Sequence, residues 1–149
     1  MSSITLRFLA EPSTVNFGGK VHGGTVMKWI DEAGYACATR WARQYCVTVL
    51  VGSIRFARPI RIGDLVEVEA RLAYTGTTSM NISVEVRAGN ITTGVMQEIT
   101  ACLVVFVAVD DDGKKIPVQT WQPATPGDMA LAELVKAHLN DARNMPSAV

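Results

Sequence analysis

Cysteine is scarce in this chain, and the scarcity is informative. Cys37, Cys46 and Cys102 are odd in number, scattered and without a CxxC spacing. That excludes a disulfide framework and a cysteine-ligated zinc site, and it predicts reduced thiols in a core. Net charge is missing too. The 14 basic and 14 acidic side chains cancel, against the basic excess or stripe that nucleic-acid binding uses. Long apolar runs are absent: the longest, Leu103 to Val109, falls far short of the roughly 20 residues that cross a bilayer as a helix. The opening MSSITLRFLAEP has too brief an apolar part, and turns acidic too early, for a secretory signal. These absences predict a cytoplasmic protein with neither nucleic acid nor membrane as partner. A chain of 149 residues suits one domain with a real core.

What is present is concentrated between Asn16 and Gly34, in NFGGKVHGGTVMKWIDEAG. A glycine-rich loop runs into a helix. Gly23 and Gly24 fall in the first turn, where N–H groups have no intrahelical acceptor and no side chain covers them. A helix N-terminus carries about half a positive charge, so this end can stabilise an oxyanion. Asp31 follows about two turns inside and brings a proton acceptor to the same region.

On a helical wheel Val26, Ile30, Ala33, Cys37 and Trp41 gather as a buried stripe, and Lys28, Glu32, Tyr35, Thr39 and Arg43 as a wet one. Asp31 falls between them, beside Met27, Ala38 and Ala42. A carboxylate at such an apolar border loses part of its water and becomes a better base. The plain alternative is a surface aspartate, free or paired with Lys28 one turn away.

Around this helix the pattern is that of strands. Ile4 to Leu9 precedes it, and the helix ends near Arg43. Cys46 to Phe56 is rich in β-branched residues and stops before Pro59, which cannot continue a ladder in mid-sheet. Leu65 to Tyr74 alternates, with Val66, Val68, Ala70 and Leu72 on one face and Glu67, Glu69 and Arg71 on the other. Met80 to Val86 alternates again, and a long strand runs from about Gln97 to Val109. One strand, a long helix and four strands joined by turns predict an α+β fold, an antiparallel sheet wrapped around a central helix. Residues 1–118 form that domain. Residues 119–149 are an extension in which Met129 to Arg143 is helical, with a stripe of Leu131, Leu134, Val135, His138 and Leu139.

Asn16, the glycines, His22-Gly23-Gly24 and the IDEAG of Ile30 to Gly34 together resemble the signature of hotdog-fold acyl-CoA thioesterases, of the YciA type and the brain-type cytosolic hydrolases. The resemblance continues through VTVLVGSIRFARPIRIGDLVEV (Val47 to Val68) and YTGTTSMNISVEV (Tyr74 to Val86). It implies an enzyme that hydrolyses acyl-CoA to free coenzyme A and a carboxylate, with no cofactor, coenzyme A being part of the substrate. It implies Asn16 and Asp31 as the catalytic pair, Asn16 orienting water or binding the carbonyl and Asp31 acting as general base or as nucleophile. The N–H groups of Gly23 and Gly24 would form the oxyanion hole. Family members pair two sheets edge to edge with active sites at the seam, and trimers of such dimers are frequent, so a homodimer assembling into a homohexamer is expected. Arg58 lies in an FxRP element that relatives share and is the expected phosphate contact. The turn Gly76, Thr77, Thr78 and Ser79 lies beside the cleft in relatives and is expected to touch coenzyme A.

Other motifs fail on inspection. Gly24 stands where a phosphate loop requires its lysine. The run Asp110 to Gly113 lacks the alternating ligands and distant glutamate of a calcium loop, and no serine has a G-x-S-x-G setting. His22 touches the glycines, whereas the related dehydratases place a histidine well upstream. It is therefore read as shaping the substrate-binding loop. A hydratase or dehydratase, and a non-catalytic acyl-CoA-binding protein, are the competing readings.

Overall fold

The computed structural model describes residues 2–144, with side chains described as far as residue 137. Five strands form one sheet: β1 (Ser3–Leu9), β2 (Cys46–Val51), β3 (Leu65–Thr75), β4 (Ser79–Gly89) and β5 (Met96–Ala108). Their spatial order is β1-β3-β4-β5-β2, and every neighbouring pair is antiparallel. A helix, α1 (Gly23–Ala42), lies across one face, and α2 (Pro126–Asn144) packs on β3.

The alternation read from the sequence sets the register. Val68, Ala70 and Leu72 of β3 stand opposite Val86, Val84 and Ile82 of β4, and all six are buried against α1. Val26, Ile30, Ala33 and Cys37 complete the core from the helix side. At Gly34 the helix approaches β5 so closely that a Cβ would lie 2.8 Å from the buried ring of Phe106. The opposite face carries charge. Glu67 faces Arg87 across the ladder, and the Arg87 guanidinium reaches Glu67, Glu69 and Glu85 at 3.3, 3.4 and 3.0 Å. Arg71 on that face holds Asp128 of α2 at 2.9 Å.

Two expectations need correction. The second strand ends at Val51, well before Phe56. A bulge between Thr48 and Leu50 breaks its register with β5, and a bulge re-aims a strand. The ladder resumes at Leu50 and Val51, and beyond Val51 single N–H bonds follow β5, from Gly52 to the Leu103 carbonyl and from Ala57 to that of Ile99, both 2.8 Å. Among the described side chains of α2, Ala132 and Val135 are buried while Leu134 is exposed, because α2 meets β3 on a face rotated from the one the apolar stripe suggests. The His138 and Leu139 side chains of that stripe lie outside the described residues. A short 3-10 turn at Pro12–Thr14 was not foreseen.

Candidate active site

The loop before α1 is clasped by its own backbone and by Asn16. The Asn16 Oδ1 accepts from the N–H groups of Gly18 and Lys20 at 2.9 and 3.1 Å, and Asn16 N–H donates to the Lys20 carbonyl at 2.6 Å. Gly19, at φ +79°, supplies the left-handed residue this tight turn needs. With its oxygen so engaged, Asn16 keeps only its Nδ2 as a donor to a ligand.

α1 begins at Gly23 with His22 as N-cap, and the exposed His22 side chain makes no capping bond. Its backbone does the holding: His22 N–H donates to Thr14 at 2.8 Å, and its carbonyl accepts from Thr25 and Val26. Among the described residues the N–H groups of Gly23 and Gly24 find no acceptor. A Cβ at Gly23 would meet the Phe56 ring at 3.5 Å, and one at Gly24 would meet open space. The helix therefore presents two bare donors.

Asp31 is exposed in the single chain, so the apolar neighbours expected to desolvate it do not. Nor is it a surface partner of Lys28, which pairs with Glu32 at 3.7 Å. Its Oδ1 accepts from the Thr48 hydroxyl at 2.7 Å, which leaves Oδ2 free. Sequence reasoning missed Thr48. The available signal was a lone hydroxyl within the apolar run VTVLV, on what proves to be an edge strand.

The structure brings some of the expected residues together and separates others. Asn16, Gly23 and Arg58 wall one cavity of about 340 Å³, with Phe56 and Ile60 as apolar lining. Asp31 is not among its walls. Along α1 it stands about 12 Å from Gly23, further than a base, one water and a carbonyl can bridge. The turn from Gly76 to Ser79 lies at the far end of β3 and β4 from Arg58. Its groups are occupied in part: Gly76 N–H bonds Ser79 at 2.9 Å, and the Thr77 carbonyl accepts from Val118 at 2.9 Å. No helix among the described residues is long and apolar enough to cross a membrane.

The antiparallel sheet wrapped on α1, with bare donors at the helix start, defines a hotdog-fold enzyme. The Thioesterase superfamily pattern matches residues 18–95, and the chain belongs to that family. It is similar to the acyl-CoA thioester hydrolase YciA of Salmonella typhimurium, at 37% identity over 118 residues, 77% of this chain and 89% of that one. Among solved structures it matches an apo-hexameric acyl-CoA thioesterase with a TM-score of 0.91 at 32% identity, covering 95% of this chain and 91% of that one. It also matches an acyl-CoA hydrolase from Staphylococcus aureus, solved with butyryl coenzyme A, coenzyme A and coenzyme A disulfide. There the TM-score is 0.88 at 26% identity, covering 95% and 87%. Further structures of that hydrolase carry alanine in place of an asparagine, an aspartate or a threonine.

Proposed function

We propose that this chain is an acyl-CoA thioesterase in which Asp31 activates the water that attacks the thioester. The observation that carries the reading is that the chain offers both two unclaimed N–H groups, at Gly23 and Gly24, and a carboxylate, Asp31, whose second oxygen is free. The carbonyl oxygen sits on the helix N-terminus and receives the Asn16 Nδ2. Attack places negative charge there, and one such donor is typically worth about 3 kcal/mol. Asp31 Oδ2 takes the proton of the water, with Thr48 holding the other oxygen. The reading also draws on the Staphylococcus aureus variants: their three altered positions are spaced along that chain as Asn16, Asp31 and Thr48 are along this one.

The separation of Gly23 from Asp31 along α1 supports a site whose two ends come from two copies. β2 is an edge strand, and Val49, Leu50 and Val51 on it are exposed together with Phe17, Met27 and Phe56. An apolar edge of this kind calls for a partner. A second copy seated there supplies one chain's Asp31 to the other chain's Asn16 and Gly23, and trimers of this dimer give the hexamer. The place of action is the cytoplasm.

A thiol-release assay across acyl-CoA chain lengths tests the reading. The Asp31→Asn variant keeps the shape without the base, and its turnover should fall at least about a hundredfold while the fold persists. Near-normal hydrolysis by that variant would remove Asp31 from the chemistry.

A further inference from the structure

The sheet has a second edge, away from β2. β1 pairs with β3 alone, and an antiparallel pair bonds through alternate residues, the intervening ones turning their N–H and C=O groups to the other side. The parity is fixed at both ends of β1. Leu72 N–H donates to the Ser2 carbonyl at 2.8 Å, and Ala10 N–H donates to that of Asp64 at 2.9 Å. Even-numbered residues therefore bond β3, and Ser3, Thr5, Arg7 and Leu9 face outward. The Ser3 carbonyl accepts from the Arg40 guanidinium. Thr5, Arg7 and Leu9 find no backbone partner on that side among the described residues. We propose that this edge docks an extended segment of another protein, apolar at alternate positions and carrying basic side chains.

A groove of about 480 Å³ runs along the edge, between the strand from Thr5 to Leu9 and the Trp29 and Glu32 side of α1, with Glu11 and Thr14 beside it. Outward N–H and C=O groups recur along β1 about every 6.8 Å. An added strand returns the same groups at the same repeat, which a small molecule does not. The floor is apolar. Phe8 packs edge-on against Trp29 with ring centroids 4.7 Å apart, and Leu6, Phe8 and Trp29 are only half-buried. A strand laid beside β1 points every second side chain onto them.

Charge decides which chain fits. Glu11 and Glu32 at the rim are exposed. Glu11 makes no ion pair among the described residues, and Glu32 meets only Lys28, at 3.7 Å. The Arg7 guanidinium is engaged on the outer face, 3.6 Å from Glu67. The groove therefore offers carboxylates to a basic segment. A second copy of β1 fits poorly. To bond Thr5, Arg7 and Leu9 together, a two-fold antiparallel pairing must centre on Arg7. That sets Arg7 directly opposite its own copy and joins two acidic rims, and like charges so opposed destabilise a pairing.

The probe is a blocked peptide of alternating valine and threonine with a lysine at each end, titrated calorimetrically into the assembled protein. The same peptide methylated at every backbone nitrogen keeps the side chains but loses the donors, and its binding should disappear. Arg7→Pro removes an outward N–H and leaves the bonds to β3 intact; it should weaken binding about fivefold to tenfold. Glu11→Lys reverses a charge at an exposed position and should weaken binding by a similar factor, less so as salt is added. Unfolding curves check that both variants fold, and should Arg7→Pro not fold, Glu11→Lys and the methylated peptide carry the test. No binding of the lysine peptide at about 1 mM, equal binding of the methylated peptide, or binding indifferent to the folded variants overturns the site. A sedimentation mass of the parent protein that falls on adding the peptide would give the edge to a second copy and overturn the foreign segment.

Discussion

The hydroxyl of Thr48 donates to Asp31 Oδ1 at 2.7 Å, and this single bond ties the central helix to the edge strand at the proposed base. Two features of the chain converge on it. Asp31 lies at the border of the helix's buried stripe, and the bulge between Thr48 and Leu50 marks the point where β2 leaves its register with β5.

If Thr48 positions Asp31, Thr48→Val should lower kcat about tenfold, the loss expected for one bond to a charged group, with KM little changed. Thr48→Ser keeps the hydroxyl and should restore most of the rate. A structural role alone would make valine, which suits a strand, harmless to kcat, and steady-state kinetics on the three proteins distinguishes the two.

Asn16→Ala and Asp31→Asn subunits, each nearly inactive, should regain activity when refolded together. The recovered site pairs the intact Asn16 of one chain with the intact Asp31 of the other. Random mixing yields about half of the dimers with one such site. Verified heterodimers that stay inactive would show that both residues act within one subunit.

Gly34→Ala tests the approach of α1 to the sheet. Its Cβ would meet the Phe106 ring at 2.8 Å, and Phe106, at 1% exposure, has nowhere to move. Overpacking of this kind costs about 1–3 kcal/mol, which thermal or denaturant unfolding would register. A stability equal to that of the parent would mean that helix and sheet can separate locally at no cost.

Alkaline stability follows from the thiols. Burial pushes Cys37 and Cys102 up from the ordinary 9.0 to about 11. Above pH 9 the unfolded chain loses these protons while the folded chain keeps them, so the unfolded state binds fewer protons and stability falls as pH rises from about 9 to 11. Below pH 9 the two thiols leave stability unchanged. Cys102→Ala should flatten the decline in melting temperature over that window, and an unchanged slope would remove the thiol as a cause.

Much of this protein is legible in one dimension because its signals are local. Alternation in Leu65 to Tyr74 and Met80 to Val86 assigns the inward faces, since neighbouring side chains of a strand point to opposite sides. The buried stripe of α1 follows from 3.6-residue periodicity, and the bare donors at Gly23 and Gly24 follow from two adjacent glycines at a helix start. Those patterns sufficed for the sheet around one helix and for Asp31 as a candidate base, while Asn16 entered only through the resemblance to a known family. Tertiary structure decided what depends on residues far apart in sequence. It brought Thr48 to Asp31, placed β2 at the exposed edge, and set Arg58 and Arg61 beside Asn90 and Gln97. It also turned α2 so that Val135 is buried and Leu134 exposed. No periodicity encodes such a relation, because it is a property of how elements pack and not of any element alone.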